Sequence, residues 1–138
     1  MTTFSELGIG KAYVQALKEL DILYPTKIQE AVIPTLLGTK TDLIGLAQTG
    51  TGKTAAFGLP LLHRLLDIGH PPAPRTVRSL ILAPTRELVA QISDNLTNYT
   101  KGTPVKVVMI TGGASIFRQS EKLARGADVL VATPGRLI

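Results

Sequence analysis

The amino-acid sequence predicts an α/β protein in which a parallel sheet carries helices on both faces. Four short apolar segments rich in β-branched residues alternate with longer segments of helical periodicity. A turn rich in glycine, threonine or proline follows each of the four. The chain has 138 residues, 44% of them hydrophobic, which is enough to bury a core of ordinary domain size.

Two helices are predicted before the first strand. Residues 11–20 and 26–37 repeat apolar side chains at intervals of three and four, which is typical of helices with one buried face. A turn through Pro25 separates them. Pro34 should kink or shorten the second helix, because proline cannot donate a hydrogen bond within it.

Strands and helices alternate after Gly38. The predicted strands are residues 43–47, 79–83, 105–110 and 128–132. The predicted helices cover residues 53–67, 85–99 and 115–125. Three prolines and a glycine between residues 69 and 76 indicate a surface loop.

The turns that follow the four predicted strands are residues 48–54, 84–87, 111–113 and 133–136. Open parallel sheets bind ligands at the carboxyl ends of their strands. We therefore expect all four turns to lie along one rim of the sheet and to form a binding site there.

Composition excludes several classes of protein. The chain has no cysteine, so a disulfide framework and a cysteine-ligated zinc site are both excluded. Its first residues show no basic start followed by an apolar run, and no stretch approaches the ~18 consecutive apolar residues of a membrane span. We expect a cytoplasmic protein without a membrane partner.

The basic residues are concentrated in the second half of the chain. Residues 1–60 hold five lysines and five acids, whereas residues 61–138 hold ten basic and five acidic residues, so the formal charge of +5 arises there. This asymmetry suits a polyanionic partner, although a basic solvated surface is an equally simple explanation.

The first turn has the spacing of a phosphate-binding loop. Its residues are Ala47, Gln48, Thr49, Gly50, Thr51, Gly52, Lys53 and Thr54. Small residues let successive backbone N–H groups turn toward phosphate oxygens, and the next helix presents its positive end to the same anion. Lys53 can reach the β and γ phosphates, and the Thr54 hydroxyl can ligate Mg²⁺ together with water and phosphate. The alternative is a glycine-rich turn without a ligand.

Read together, the four turns resemble those of DEAD-box RNA helicases. The matching segments, in order, are Gln48 to Thr54, Pro84-Thr85-Arg86-Glu87-Leu88, Thr111-Gly112-Gly113 and Thr133-Pro134-Gly135-Arg136. Upstream, Pro25-Thr26-Lys27-Ile28-Gln29 resembles the Q motif of the family, with the isolated aromatic Phe4 before it. The resemblance implies a RecA-like motor domain that uses ATP or ADP with Mg²⁺.

Roles follow from the resemblance residue by residue. Gln48 to Thr54 would bind nucleotide, with Lys53 and Thr54 in catalysis, and Gln29 would read the adenine edge. The residues that would contact the RNA backbone without reading its sequence are Pro84, Thr85, Arg86, Gly112, Gly113, Thr133, Pro134, Gly135 and Arg136. Each has a structural alternative: a helix N-cap for Thr85, a tight turn for the glycines and a surface cation for Arg136.

The segment that resembles the Q motif has a structural alternative, and the residues before it differ from the family pattern. Thr26 to Gln29 also reads as a capping box, in which the Gln29 amide bonds back to the Thr26 N–H. The family usually has glycine and an aromatic residue where this chain has Asp21 and Ile22. Ile22 can offer the adenine ring only aliphatic packing.

The carboxylates of hydrolysis are not found in the sequence. None of the predicted strands ends in an acid that could hold Mg²⁺. The resemblance implies that an Asp-Glu-Ala-Asp segment and a second RecA-like domain follow Ile138 in a longer parent. Residues 1–37 would form the Q-motif helical region and residues 38–138 the first motor domain, truncated before that segment.

Two consequences are expected for the chain by itself. It should bind nucleotide weakly without RNA-stimulated hydrolysis, and an uncovered sheet edge should favour self-association. The alternative to a helicase is a nucleotide- and RNA-binding module without catalysis. An unrelated phosphate-loop ATPase or DNA motor would require the turns at 84–87 and 133–136 to be accidental.

Overall fold

A computed structural model of the chain describes residues 1–40, 42–46, 52–111 and 116–137. The chain divides into two compact units. The first contains Met1–Ile68 and Asn98–Thr103, and the second contains Gly69–Thr97 and Pro104–Ile138. No helix in the described ranges has both the length and the apolar character needed to cross a lipid bilayer.

Three helices build the first unit: α1 (Lys11–Glu19), α2 (Lys27–Gly38) and α3 (Lys53–Ile68). Their predicted bounds are confirmed to within one residue at each end. Helix α2 packs along α3. Tyr13 of α1 is fully buried, and its hydroxyl donates a hydrogen bond of 2.6 Å to the carbonyl oxygen of Leu62 in α3. This bond satisfies the phenol in an otherwise apolar core.

Pro34 does not shorten α2, so that one of the two expected effects is wrong. The helix continues through Pro34 to Gly38. The carbonyl that loses its partner belongs to Glu30, and both residues are exposed, so water can satisfy that oxygen. Helix α3 also contains a proline, the buried Pro60.

Helix α1 ends in a left-handed residue. The N–H of Asp21 donates to the carbonyl of Lys18, and the N–H of Ile22 donates to the carbonyl of Leu17 at 2.8 Å. These two bonds define a Schellman motif, in which the residue after the cap adopts a positive φ. Asp21 has φ 61° there. Glycine adopts this conformation without strain, whereas aspartate does not.

Asp21→Gly is expected to raise the free energy of unfolding by about 0.5–1 kcal/mol, because the relief of left-handed strain exceeds the added entropy of the unfolded chain. Urea unfolding followed by circular dichroism measures the change. Asp42→Gly is the matched control, since Asp42 is exposed and has no positive φ. Equal or opposite effects of the two substitutions would contradict the assignment of strain to Asp21.

The second unit contains a three-stranded parallel sheet. Its strands are β1 (Val77–Leu82), β2 (Val107–Ile110) and β3 (Ala127–Ala132), in the order β1-β3-β2. Every residue of the central strand β3 is buried. The sheet confirms the predicted parallel α/β class, and the three strand bounds agree with the predicted ones to within two residues.

Helices connect and follow these strands: α4 (Arg86–Tyr99), α5 (Ile116–Ala124) and α6 (Pro134–Leu137). The chain moves from β1 past β3 to the far strand β2 through α4, and returns to β3 through α5. Parallel crossovers are right-handed, so connections that run in opposite directions place α4 and α5 on opposite faces of the sheet.

The predicted strand at residues 43–47 is wrong for the part that the structure describes. Residues 42–46 form no strand, and the side chains of Ile44 and Leu46 are 91% and 89% exposed. An apolar run becomes a strand only when a neighbouring strand accepts its hydrogen bonds, and none of the described strands pairs with it. Gly45 weakens the strand preference further. Ala47 lies outside the described residues.

A buried carboxylate ties the amino ends of the three strands together. Asp128 is 3% exposed, and its Oδ1 lies 3.0 Å from Nη1 of Arg78, while its Oδ2 accepts the N–H of Lys106 at 2.8 Å. The same guanidinium donates to the carbonyl oxygens of His70 and Pro71 at 2.8 and 3.1 Å. The proline-rich loop is thereby attached to the start of the sheet.

Candidate functional site

Lys53 and Thr54 are the first two residues of α3, the helix expected to follow the phosphate loop. Lys53 is exposed, Thr54 is half-buried, and no acidic residue occupies the first turn. A cation at this end of a helix opposes the helix dipole, and a bound anion would offset the repulsion. The placement fits a phosphate-binding role. Gln48, Thr49, Gly50 and Thr51 lie outside the described residues, so their contacts stay a prediction.

Gln29 joins the start of α2 to Gly52, the residue that precedes α3. Its side-chain Nε2 donates to the carbonyl oxygen of Gly52 at 3.1 Å, and its Oε1 accepts the N–H of Thr26 at 2.9 Å. Gln29 is only 5% exposed. Gly52 has φ 86°, and a Cβ on it would overlap the Gln29 amide. Glycine is therefore required at residue 52 on both counts.

The capping box is confirmed, since the Thr26 side chain also accepts the N–H of Gln29 at 3.5 Å. The capping box does not decide whether Gln29 can also bind the adenine edge. A carboxamide oxygen can accept two hydrogen bonds and its nitrogen can donate two. The bonds to described residues use one of each, which leaves one donor and one acceptor of Gln29 for an adenine edge. Adenine recognition by Gln29 stays a prediction.

A cleft of about 670 Å³ opens beside Lys53 in the first unit. Its walls are mostly apolar side chains: Ile28, Val32 and Leu36 of α2, and Ala56 and Phe57 of α3. The segment before α3 contributes Asp42, Leu43 and Gly45. Ile22 is half-buried and does not line this cleft. The predicted packing of Ile22 against an adenine ring stays a prediction.

A magnesium site would depend on few protein groups. Within residues 1–40, 42–46, 52–111 and 116–137, no three histidine or acidic side chains come close enough to hold a metal ion. Mg²⁺ commonly keeps several waters and binds through substrate phosphates. The predicted role of Thr54, with water and phosphate completing the coordination, is compatible with this chemistry and stays a prediction.

Three of the predicted turns follow β1, β2 and β3. Because these strands are parallel, the turns at residues 84–87 and 133–136 and Thr111 lie at one rim of the sheet, as predicted for the second unit. Gly112 and Gly113 lie outside the described residues. The placement of the phosphate loop on the same rim stays a prediction, because residues 42–46 do not join the sheet.

The turn after β1 is held as a helix cap. Thr85 precedes α4, and its Oγ1 accepts the N–H of Leu88 at 3.1 Å. The N-cap alternative is thus confirmed for Thr85. Pro84, Thr85 and Arg86 are all exposed, so the cap leaves this helix end open to a ligand.

The turn after β3 is more regular than predicted. Residues Pro134–Leu137 form the short helix α6 instead of a simple turn. Proline is favoured at the first position of a helix because its φ is already helical. Thr133 and Arg136 are half-buried, Pro134 and Gly135 are exposed, and the N–H of Thr133 donates to the carbonyl of Ile110 at 3.3 Å.

Gln119 was missed by the sequence analysis. It is 5% exposed, and its Nε2 donates to the carbonyl oxygen of Thr111 at 2.9 Å, at the start of the Thr-Gly-Gly segment. Its Oε1 is buried and has no hydrogen-bond partner among the residues that the structure describes. The sequence contained a signal, since Gln119 is the one carboxamide in α5 and lies four residues before Leu123, the spacing of one helical face.

Comparison with known proteins places the chain in a family. The model of the DEAD/DEAH box helicase family matches residues 26–138. A protein of Dictyostelium discoideum named probable ATP-dependent RNA helicase ddx3 is 40% identical over the whole of this chain. The chain covers 21% of that relative, about a fifth of its length.

Solved structures agree in sequence and in fold. The RNA helicase Prp28 from Chaetomium thermophilum bound to ADP is 42% identical with a TM-score of 0.88, covering 99% of this chain and 33% of that one. A DEAD box protein from Methanococcus jannaschii is 32% identical with a TM-score of 0.85, covering 99% and 36%. The sheet is thus that of a RecA-like domain, and the chain belongs to the DEAD-box helicase family.

Proposed function

We propose that this chain is the nucleotide-binding front part of an ATP-dependent RNA helicase. The observation that carries the proposal is the bond from Gln29 to Gly52, which connects the start of α2 to the residue that precedes α3. Such a link suits a site in which one end of a nucleotide is read by a carboxamide while the phosphates meet Lys53. The relative named an RNA helicase and the ADP-bound Prp28 structure support this assignment.

In this proposal different residues of the chain bind different parts of the nucleotide. The residues from Gln48 to Gly52 surround the phosphates with backbone N–H groups, and Lys53 neutralises charge on the β and γ phosphates. Mg²⁺ with ATP would bind at the Thr54 hydroxyl and polarise the phosphates. In the whole protein, ATP binding and hydrolysis would be coupled to RNA binding and to local unwinding of duplexes, with a second RecA-like domain closing on both ligands.

The chain alone should bind nucleotide without turning it over. Strand β1 is followed by Ala83-Pro84-Thr85, β2 by Thr111, and β3 by Thr133-Pro134. None of these segments supplies an acid. Isothermal titration with ADP and a phosphate-release assay with ATP and homopolymeric RNA would test this. We expect weak ADP binding and no RNA-stimulated release. No heat of ADP binding would argue against the nucleotide site, whereas RNA-stimulated turnover would contradict only the proposed inactivity.

Gln29→Ala is expected to reduce the preference for ADP over GDP by about 5- to 100-fold, because the carboxamide complements the N6 donor and N7 acceptor of adenine but not the corresponding guanine edge. Competitive titration of both nucleotides measures the ratio. Thr26→Ala is the matched control, since it removes half of the capping box and leaves the Gln29 amide in place. An unchanged ratio in Gln29→Ala would restrict Gln29 to its structural bonds.

The rim of the sheet is proposed to hold an RNA backbone. Exposed Thr85 and Arg86 lie at the N-terminal end of α4, a helix of 14 residues whose end favours anions. Contacts of this kind bind phosphates and do not distinguish bases. Binding should therefore be independent of sequence and weaken as salt increases.

Arg86→Ala is expected to lower affinity for single-stranded RNA by roughly 3- to 10-fold and to reduce the salt slope by about 0.7, the value for one lost phosphate contact. Fluorescence anisotropy with a labelled uridine homopolymer at several potassium concentrations measures both quantities. Lys101→Ala serves as a control, because Lys101 is exposed but lies in the first unit. Equal losses in both variants would indicate nonspecific charge attraction.

A further inference from the structure

The outer edge of β2 lies in an open groove of about 980 Å³. Residues Lys106 to Met109 form its floor. Ser93 and Thr97 of α4 line one side, and Lys122 of α5 and Arg125, which directly follows α5, line the other. Because α4 and α5 lie on opposite faces of the sheet, the groove follows the strand edge between two helical walls. All of these residues belong to the second unit.

The floor of the groove presents unused backbone groups. The carbonyls of Lys106 and Ile110 accept hydrogen bonds from the N–H groups of Val129 and Thr133. Successive residues of a strand point their backbone groups in opposite directions, so the even-numbered residues of β2 point theirs toward β3. The N–H and C=O groups of Val107 and Met109 therefore point outward. No described residue bonds to them, and the Met109 side chain is 37% exposed between the walls.

The walls carry an excess of positive charge. Four cations and two acids line the groove. Lys106, Lys122 and Arg125 are exposed and form no ion pair with any described residue. Unpaired cations beside a strand edge would meet acidic side chains at short range, and in a shallow groove they would also raise the association rate.

We propose that this groove binds an extended acidic peptide segment, which adds to the sheet as a fourth strand along β2. The backbone of the peptide would pair with the outward groups of Val107 and Met109. Every second side chain of the peptide would pack against Met109, and the peptide's carboxylates would face Lys106, Lys122 and Arg125. Strand addition of this type takes its affinity from main-chain hydrogen bonds and its specificity from the neighbouring side chains.

A peptide fits the groove better than a nucleic acid does. The outward edge offers carbonyl acceptors as well as N–H donors, whereas phosphate oxygens can only accept. The acids Asp94 and Glu121 in the lining would repel a continuous polyanion but can be avoided by an alternating peptide. The groove also lies along the side of the sheet and not at the carboxyl rim proposed for RNA. It is thus independent of the proposed helicase function.

The test is fluorescence anisotropy with a labelled heptapeptide that alternates glutamate and valine. We expect it to bind at least tenfold more tightly than a heptapeptide that alternates lysine and valine. Two further acidic peptides carry N-methyl groups on the odd or the even amides. At least one of them should lose tenfold in affinity, because it cannot complete the main-chain ladder. Equal binding of both methylated peptides and the parent would overturn strand addition.

Variants locate the site. Lys122→Glu combined with Arg125→Glu should weaken binding of the acidic peptide at least tenfold, whereas Lys101→Glu should leave it unchanged. Val107→Pro removes one outward donor without removing a bond to β3, and it should also weaken binding tenfold. The methylated peptides decide the question if Val107→Pro does not fold. If uridine homopolymer binds and is lost in the double variant while the acidic peptide does not bind, the groove is a nucleic-acid surface and the proposal is wrong.

Discussion

Asp128→Ala is expected to lower the free energy of unfolding by about 3 kcal/mol. The substitution leaves the Arg78 guanidinium, whose side chain is 17% exposed, without its counter-charge and leaves the Lys106 N–H without its acceptor. Removing one partner of a buried ion pair costs about 3–5 kcal/mol, and the remaining bonds of Arg78 to His70 and Pro71 favour the lower end. Urea unfolding followed by circular dichroism measures the loss.

Two further variants separate charge from hydrogen bonding. Asp128→Asn keeps an oxygen for the Lys106 N–H but removes the negative charge, so we expect a loss of about half that of Asp128→Ala. Asp94→Ala is the matched surface control, because Asp94 is exposed and unpaired among the described residues, and it should change stability by less than about 0.5 kcal/mol. An unchanged unfolding midpoint in Asp128→Ala would show that the buried ion pair contributes nothing.

Lys53→Ala is expected to weaken ADP binding by about 10- to 100-fold. A charge-assisted hydrogen bond contributes about 1.5–3 kcal/mol, and Lys53 at the start of α3 is the described cation positioned to provide it. Isothermal titration at low salt measures the change. Alanine favours helix, so the variant should retain its helix content in circular dichroism.

The matched control for Lys53 is Lys40→Ala, which removes an exposed lysine of the same unit that does not belong to α3. Its affinity for ADP should stay within about twofold of the original. A loss of ADP affinity in both variants would reduce the role of Lys53 to general charge attraction. Binding that survives in Lys53→Ala would remove the phosphate-loop assignment on which the proposed function rests.

The sequence by itself determined where the described helices and strands lie, apart from the segment before the phosphate loop and the short helix α6. The predicted bounds of α1 to α5 and of β1 to β3 differ from the observed ones by at most two residues. Periodicity and end signals act within a few residues, so they can be read without knowing the fold. The motifs that identify the family are equally local, and the capping box of Thr26 and Gln29 was visible for the same reason.

Only the tertiary structure decided which distant groups meet. Gln29 bonds to a carbonyl 23 residues away, and Asp128 binds an arginine 50 residues away. The strand order β1-β3-β2 and the unpaired segment 42–46 likewise depend on which strands become neighbours. Such contacts arise from chain closure and packing through space, which leave no periodic trace in the sequence. Residue types could therefore predict a phosphate site and a basic partner surface, but not the bond that joins Gln29 to Gly52.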